Sequence, residues 1–446
     1  MGTVARLKSR MRTSPLVLTY AVLCAVALAV RGAYVLYDRS FDRNGAVEVE
    51  RAATSMVRGE GLGNVYSESS GLTAHVSPMY PLFLAGLYWL FGYGTLAGKV
   101  AQELLAIAAT TVGLALLPTV ARRAGLLGIS GWTAAFGLAV LPVNLSLETS
   151  GIREQPYAAL VVLGLVLVFC RLRDEKWQRN RAVLWGGALL AISALLSPSL
   201  LPAGALLVLA ELITQRGRRN RVMVGGLMMA GVMSMMVTPW ALRNYVALGG
   251  FVPFRSNLGL ELAIGNNRWA NGSTYGTSHD DPGNPIMAMH PYASGDELAR
   301  LIAQGELEYM QEKQRTALHW MRVNPGKTVE LTVRRFRLFW FPPVDVWSRS
   351  SPARRLKAVA FSIIGLLALV ELLRLAVVRH DRAWLLMAAA VGPSLIYLVT
   401  HVDPRYRYPV FGITTVLAAH LLYTIGRNLS THVPIIGARL DQRRDV

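Results

Sequence analysis

The sequence predicts an all-α polytopic membrane protein, and three observations carry that prediction. Apolar runs of membrane-spanning length recur between residues 15 and 425, charge is scarce, and the basic charge is gathered in short segments between the runs. Hydrophobic residues make up 53% of the 446 and charged residues only 16%. A hydrocarbon core about 30 Å thick takes roughly 20 apolar residues per helix, and a soluble core has no use for so many runs of that kind. A formal net charge of +19 would suggest nucleic-acid binding in a soluble chain. Here the arginines separate apolar runs and read as topology signals, so the expected surroundings are membrane lipids and no nucleic acid. Cys24 and Cys170 both lie inside apolar segments, which leaves neither a disulfide framework nor a cysteine metal site.

Arg6, Lys8, Arg10 and Arg12 precede an apolar run over 15–36 that exceeds the roughly 7–15 residues of a signal-peptide core, so it is read as an uncleaved first span. Basic clusters follow at 122–123, 171–181, 216–221, 374–382 and 427–444. Placing all of them in the cytoplasm makes the number of crossings between neighbouring clusters even. Three apolar stretches lie between the first two clusters, so only two can cross. The shortest, PMYPLFLAGLYWLF at 78–91, is expected to lie at the outer interface, where aromatic residues are favoured. The stretch 182–213 is too long for one straight span and is interrupted by SPSLLP, so two short helices meeting at the prolines are expected.

The result is ten spans, near 15–36, 96–120, 126–147, 156–172, 183–197, 200–213, 222–246, 357–378, 383–400 and 409–426, with both termini cytoplasmic. The chain then divides into an N-terminal transmembrane module (1–246) with its first outer loop at 37–95, an extracytoplasmic segment (247–356), C-terminal transmembrane helices (357–426) and a cytoplasmic tail (427–446). The outer segment opens with turn-rich polar sequence and continues as a helical stretch over 294–323. No repeat suggests the inverted halves common among transporters.

Chemistry is sought in the outer loops. The first carries Asp38, Asp42, Glu48 and Glu50, carboxylates suited to general base work or to holding a divalent cation. Its helix-like AVEVERAATSMVRG puts Glu48 and Arg51 on one face. A short loop, ETSGIREQP, packs Glu148, Arg153 and Glu154 between two spans, where charge is costly unless it faces a wet cavity. The last, HVDPRYRYP, interleaves His401, Asp403, Arg405 and Arg407 with Tyr406 and Tyr408. Outward arginines break the one-sided rule. A bound phosphate supplies a reason, because the guanidinium fork matches its oxygens; ion pairing with the outer segment is the other reading. Arg243, in PWALRNY, stands at a similar helix end, while RRFRLFWFPP reads as interfacial anchoring. The histidines form no HExxH, and Walker A, GxSxG and GxGxxG patterns are missing, so soluble nucleotide or nucleotide-sugar chemistry has no support.

The order of these motifs resembles the GT-C class of glycosyltransferases, and in particular the dolichyl-phosphate-mannose-protein mannosyltransferase (glycosyltransferase 39) family and its bacterial aminoarabinose-transferase-like relatives. The matching pieces are ERAATSMVRGEG, TAHVSPMYPLFLAGLYWLFG, GIREQPYAALVVL, PWALRNYVALGGFVPFRSNLGLELAIGNN and RYRYP, which span most of the chain. The resemblance implies a GT-C bundle with juxtamembrane helices in a bacterial inner membrane. It also implies inverting transfer of a sugar from a polyprenyl-phosphate carrier to an extracytoplasmic acceptor, whether protein, lipid or glycan. Glu48, or Asp42 beside it, would be the base. Arg405, Arg407, Arg243 and His75 would hold the carrier phosphate, and Glu154, Arg153 and Tyr408 would orient donor or acceptor. Many relatives carry an Asp-Glu pair in the first loop, whereas this chain has separated acids. Some members use a metal ion and others do not, so a divalent cation stays open. A transporter or flippase for lipid-linked saccharides is the alternative; it should show internal repeats and charges deep in the spans.

Overall fold

A computed structural model describes residues 15–39, 41, 47–149, 154–178, 180–273, 285–343 and 352–432. Helices dominate, since in lipid a single chain satisfies its backbone polar groups best within itself. The first, α1 (Pro15–Asp38), is apolar on nearly every face. Two short helices follow, α2 (Val47–Val57) and α3 (Met79–Phe91). The bundle continues through α4 (Leu96–Arg123), α5 (Gly128–Val140), α6 (Leu145–Thr149), α7 (Gln155–Asp174), α8 (Asn180–Leu196), α9 (Leu201–Thr214) and α10 (Arg219–Leu248). The outer segment supplies α11 (Leu258–Gly265), α12 (Pro285–Met289), α13 (Gly295–Gln304), α14 (Glu306–Val323) and α15 (Pro325–Trp340). Then come α16 (Pro352–Val377), α17 (Ala383–Val391), α18 (Leu395–Val399) and α19 (Tyr408–His432).

Among the described residues six helices are long and apolar enough to span a membrane, and six of the ten expected spans fall on them. The other four fall on shorter apolar helices: α5, α8, α9 with its leading turn, and the α17–α18 pair. Proline explains the shortening. Pro142 follows α5, Pro198 opens the 3₁₀ turn that separates α8 from α9, Pro202 sits in the first turn of α9, and Pro393 lies in the 3₁₀ turn between α17 and α18. The expected helix over 294–323 is likewise two helices. Ser294 caps α13 by accepting from the Glu297 amide, and Gly305, at φ 82°, takes a conformation that other residues rarely adopt and so starts α14 on a new axis.

The core lies among α4, α5, α7, α16, α17 and α19, where Leu117, Leu165, Phe169, Phe361 and Phe411 are buried. One end of this bundle is tied by ion pairs. Arg173 bonds Glu211 at 2.6 Å and Asp381 at 2.8 Å, and Arg382 pairs with Asp174, so the ends of α4, α7 and α9 meet the turn before α17. At the other end α1 arrives with Arg31, whose guanidinium bonds Glu148 at 2.6 Å and the Leu138 and Ala139 carbonyls. Since α1 arrives at the end from which α4 departs, the segment between them, α3 included, makes no net crossing.

Candidate active site

The site is built at the end of the bundle where α1 arrives, from the loop between α2 and α3, the outer segment, and the loop before α19. Carboxylates and arginines of the surroundings hold the first of these. The Glu306 carboxylate, at the start of α14, accepts from the Thr73 hydroxyl, the Ala74 amide at 2.8 Å and the Ser256 hydroxyl at 2.7 Å. Arg243, in the last turns of α10, donates to the Thr73 and Leu62 carbonyls at 2.7 and 2.6 Å. Arg255 donates to the His75 carbonyl at 2.7 Å, and Arg51 donates to the Tyr66 carbonyl. His75 is thereby fixed and 1% exposed.

Glu48 stands in the first turn of α2 with Oε1 3.5 Å from Nε2 of His75 and 3.5 Å from Nε2 of His290. The Tyr66 ring packs beside both imidazoles, at 5.0 and 6.0 Å between centroids. Beyond Arg255 the wall continues with Glu261, in the first turn of α11, whose Oε2 lies 3.4 Å from Nε2 of His401. His401 meets the Tyr406 hydroxyl at 3.4 Å, Tyr406 stacks on Tyr397 at 4.1 Å, and Arg405 lies 5.3 Å over the Tyr406 ring. Asp403 caps this turn, accepting from the Arg405 amide at 2.9 Å, and Glu154 is within electrostatic reach of the Arg405 guanidinium. Residues distant in sequence thus form one continuous polar wall at the mouth of an apolar bundle.

The charges on that wall follow from burial and neighbours. Burial opposes ionisation of Glu48, but the attraction and hydrogen bond of His75, then His290 and Arg255, outweigh it and hold the carboxyl well below the usual range. Glu261 is treated alike: burial raises its pKa, while His401 and Arg255 bring it down further than burial lifts it. For His290 and His401 burial dominates and lowers the pKa, against the pull of Glu48 on one and Glu261 on the other. Both carboxyls are therefore held in the ionised form, while His290 and His401 release their protons more readily than a free imidazole.

Glu48, His75 and His290 each offer one ligand atom, all within 4.8 Å of one another. Tetrahedral ligands about 2.1 Å from a zinc ion stand roughly 3.4 Å apart, close to the two Glu48–His separations. Two imidazoles and a carboxylate are also a donor set that zinc favours. The residues fit a divalent cation.

Of the residues expected from sequence, Glu48 and His75 come together, and Arg405 and Glu154 share the far end of the same wall. Asp42 and Arg153 lie outside the described residues. Arg407 does not join the wall: it is 1% exposed, and its Nη1 donates to the Trp340 and Phe361 carbonyls at 3.0 and 2.7 Å among three aromatic rings. Arg243 spends its guanidinium on loop carbonyls, as given above. Tyr408 is buried beside Thr110 at 3.4 Å and within reach of Glu148, inside the bundle. His290, Glu261, Arg255 and Tyr66 were not expected. Glu261 and Arg255 lie in the FRSNLGLELAIG motif, whose acid in a first helical turn was a usable signal; nothing local marks His290.

The described residues form an all-helical membrane bundle with short helices and a helical outer segment gathered at one end. Its likeness is to structures of the oligosaccharyltransferase of Archaeoglobus fulgidus. Against the apo crystal structure the TM-score is 0.55 at 13% identity, covering 96% of this chain and 52% of that one. Against the crystal structure with Zn and sulfate it is 0.53 at 12%, covering 96% and 51%. The archaeal protein, AglB, in complex with an inhibitory peptide and a dolichol-phosphate gives 0.53 at 12%, covering 94% and 51%. The chain spans about half the length of these proteins, and at such identity the likeness is one of fold. No family model and no curated protein matches the sequence.

Proposed function

We propose that this protein is a membrane glycosyltransferase that moves a sugar from a polyprenyl-phosphate carrier to an acceptor at the membrane face bearing Glu48, taken as the extracytoplasmic face of a bacterial inner membrane. One observation carries the reading. A charged carboxylate and fixed cations, Arg255 and Arg405, line one wall at the mouth of an apolar bundle. The archaeal structures that share the fold include one in complex with a dolichol-phosphate, which supports a lipid phosphate as the kind of ligand.

In the proposed step the acceptor oxygen bonds the anomeric carbon as the bond from that carbon to the carrier phosphate breaks. The electron pair leaves with the phosphate, whose growing charge Arg405 and Arg255 stabilise. The acceptor hydroxyl becomes acidic as it bonds, so Glu48, although a weak base, takes its proton. With Arg407 and Arg243 committed to carbonyls, phosphate binding falls to Arg405 and Arg255. Glu154, beside Arg405, orients it. A divalent cation on Glu48, His75 and His290 would add positive charge to the site and tie the first loop to the outer segment; Glu48 would then divide its lone pairs between the ion and the acceptor.

The test is transfer by purified protein from radiolabelled polyprenyl-phosphate sugars to an envelope extract containing protein, lipid and glycan acceptors. Wild type should release free carrier phosphate, and Glu48→Gln should lower the rate about 10²- to 10⁴-fold with its melting temperature kept. Equal rates for the two would remove Glu48 from the reaction.

A further inference from the structure

Beyond that reading, we propose that a groove between the end of α7 and the start of α8 binds the headgroup of an anionic membrane phospholipid. The groove lies far from the catalytic wall. Helix α7 starts beside Glu154 and its 20 residues carry the chain about 30 Å, so Arg171 stands at the depth of the opposite membrane surface. The cavity there has a volume of about 630 Å³, lined by Val168, Arg171, Gln178, Asn180, Arg181 and Trp185.

Arginines at this end fall into two groups. Arg173 and Arg382 are consumed by the fold: Arg173 binds Glu211, Thr214 and Asp381, and Arg382 binds Asp174 and the Arg123 carbonyl. The two arginines on the groove are not. Arg171 donates only its Nε, to Glu175 at 3.0 Å, and Arg181 makes no hydrogen bond among the described residues. Their free guanidinium nitrogens, with the amides of Gln178 and Asn180, form a donor-rich rim at the water side. Trp185 lies one helical turn from Arg181 on the same face and is 67% exposed. An indole left open at this depth matches the preference of tryptophan for the membrane interface. Val168, one turn from Arg171 on α7, continues the groove toward the hydrocarbon.

The order from water inward is therefore guanidinium and amide, then indole, then aliphatic side chain. A glycerophospholipid presents phosphate, ester-linked glycerol and acyl chain in that same order. Charge selects the anionic kind: a zwitterionic headgroup brings its own cation to a rim that already holds two.

Native mass spectrometry of the full chain in detergent tests this, with phosphatidylglycerol and phosphatidylcholine of identical acyl chains as probes. Wild type should retain one phosphatidylglycerol in preference to phosphatidylcholine, and the double variant Arg171→Gln, Arg181→Gln should bind phosphatidylglycerol about tenfold more weakly with phosphatidylcholine binding unchanged. Arg181→Gln alone, at a side chain with no hydrogen bond among the described residues, should show the same direction if the double variant loses its melting transition. Equal retention of the two lipids by wild type, or undiminished phosphatidylglycerol binding in the variants, would overturn the proposal.

Discussion

Two arginines separated by one residue do different work. Arg405 lies against Tyr406 on the polar wall, 3.7 Å from Asp403, whereas Arg407 points into packed helices and bonds carbonyls of α15 and α16. Arg405→Ala should therefore lower kcat/KM for the carrier roughly 10- to 100-fold, the value of a lost charge-assisted contact, and leave the melting temperature alone. Arg407→Ala should cost about 2–4 kcal/mol of stability, read as a lower melting temperature, because it leaves buried carbonyls unpaired beside a cavity. The RYRYP motif announced both cations, but their alternate facing depends on the 3₁₀ turn that Asp403 caps, which the motif does not specify. With His290, whose pKa burial also lowers, His401 carries the pH dependence. Its pKa is lowered in the fold, so the unfolded chain takes the proton first; the stabilisation is full above about 6.5 and is lost as pH falls through the lower folded value. Melting temperature should fall between pH 6.5 and 5 in wild type and fall less in His401→Asn. Glu261, with a folded pKa below 4.5, gives up its contribution only at more acid pH.

Helices α11 and α14 set the wall's geometry, since α11 presents Glu261 and α14 presents Glu306. They cross at Gly259, where an added Cβ would lie 1.9 Å from the Met310 carbonyl oxygen. Gly259→Ala should therefore push the helices apart, destabilise the outer segment by about 3 kcal/mol and lower transfer, with limited proteolysis of this segment as the readout. The length of the apolar runs was enough to foresee the six long bundle helices and the shorter apolar helices beside them, α3 among these. Its proline breaks were legible where the motif was dense, as at SPSLLP, but the shortening of α5 before Pro142 was not, because an apolar run continues across it. The crossing of α11 and α14 is a tertiary contact between a glycine and a main-chain oxygen, and no local pattern encodes it.

For the whole molecule, basic residues close one end of the bundle through ion pairs while the polar wall opens the other. Parity between basic clusters anticipated that separation, and with it the non-crossing of α3. Assembly of the wall was beyond reach of the sequence, because Glu48 and His75, Glu261 and His290, and His401 converge from three separate outer segments. Buried charges within the bundle, Arg31 with Glu148 and Glu371 with Arg374 and His420, are paired with one another. Such closed pairs suit a rigid scaffold better than a substrate path, which sets the transferase reading above the flippase. The most direct test of that reading is an experimental structure with a polyprenyl phosphate bound. Phosphate density between Arg255 and Arg405, its chain running down into the bundle, is the predicted result; density confined to the opposite face or to the surroundings of Arg407 would contradict it.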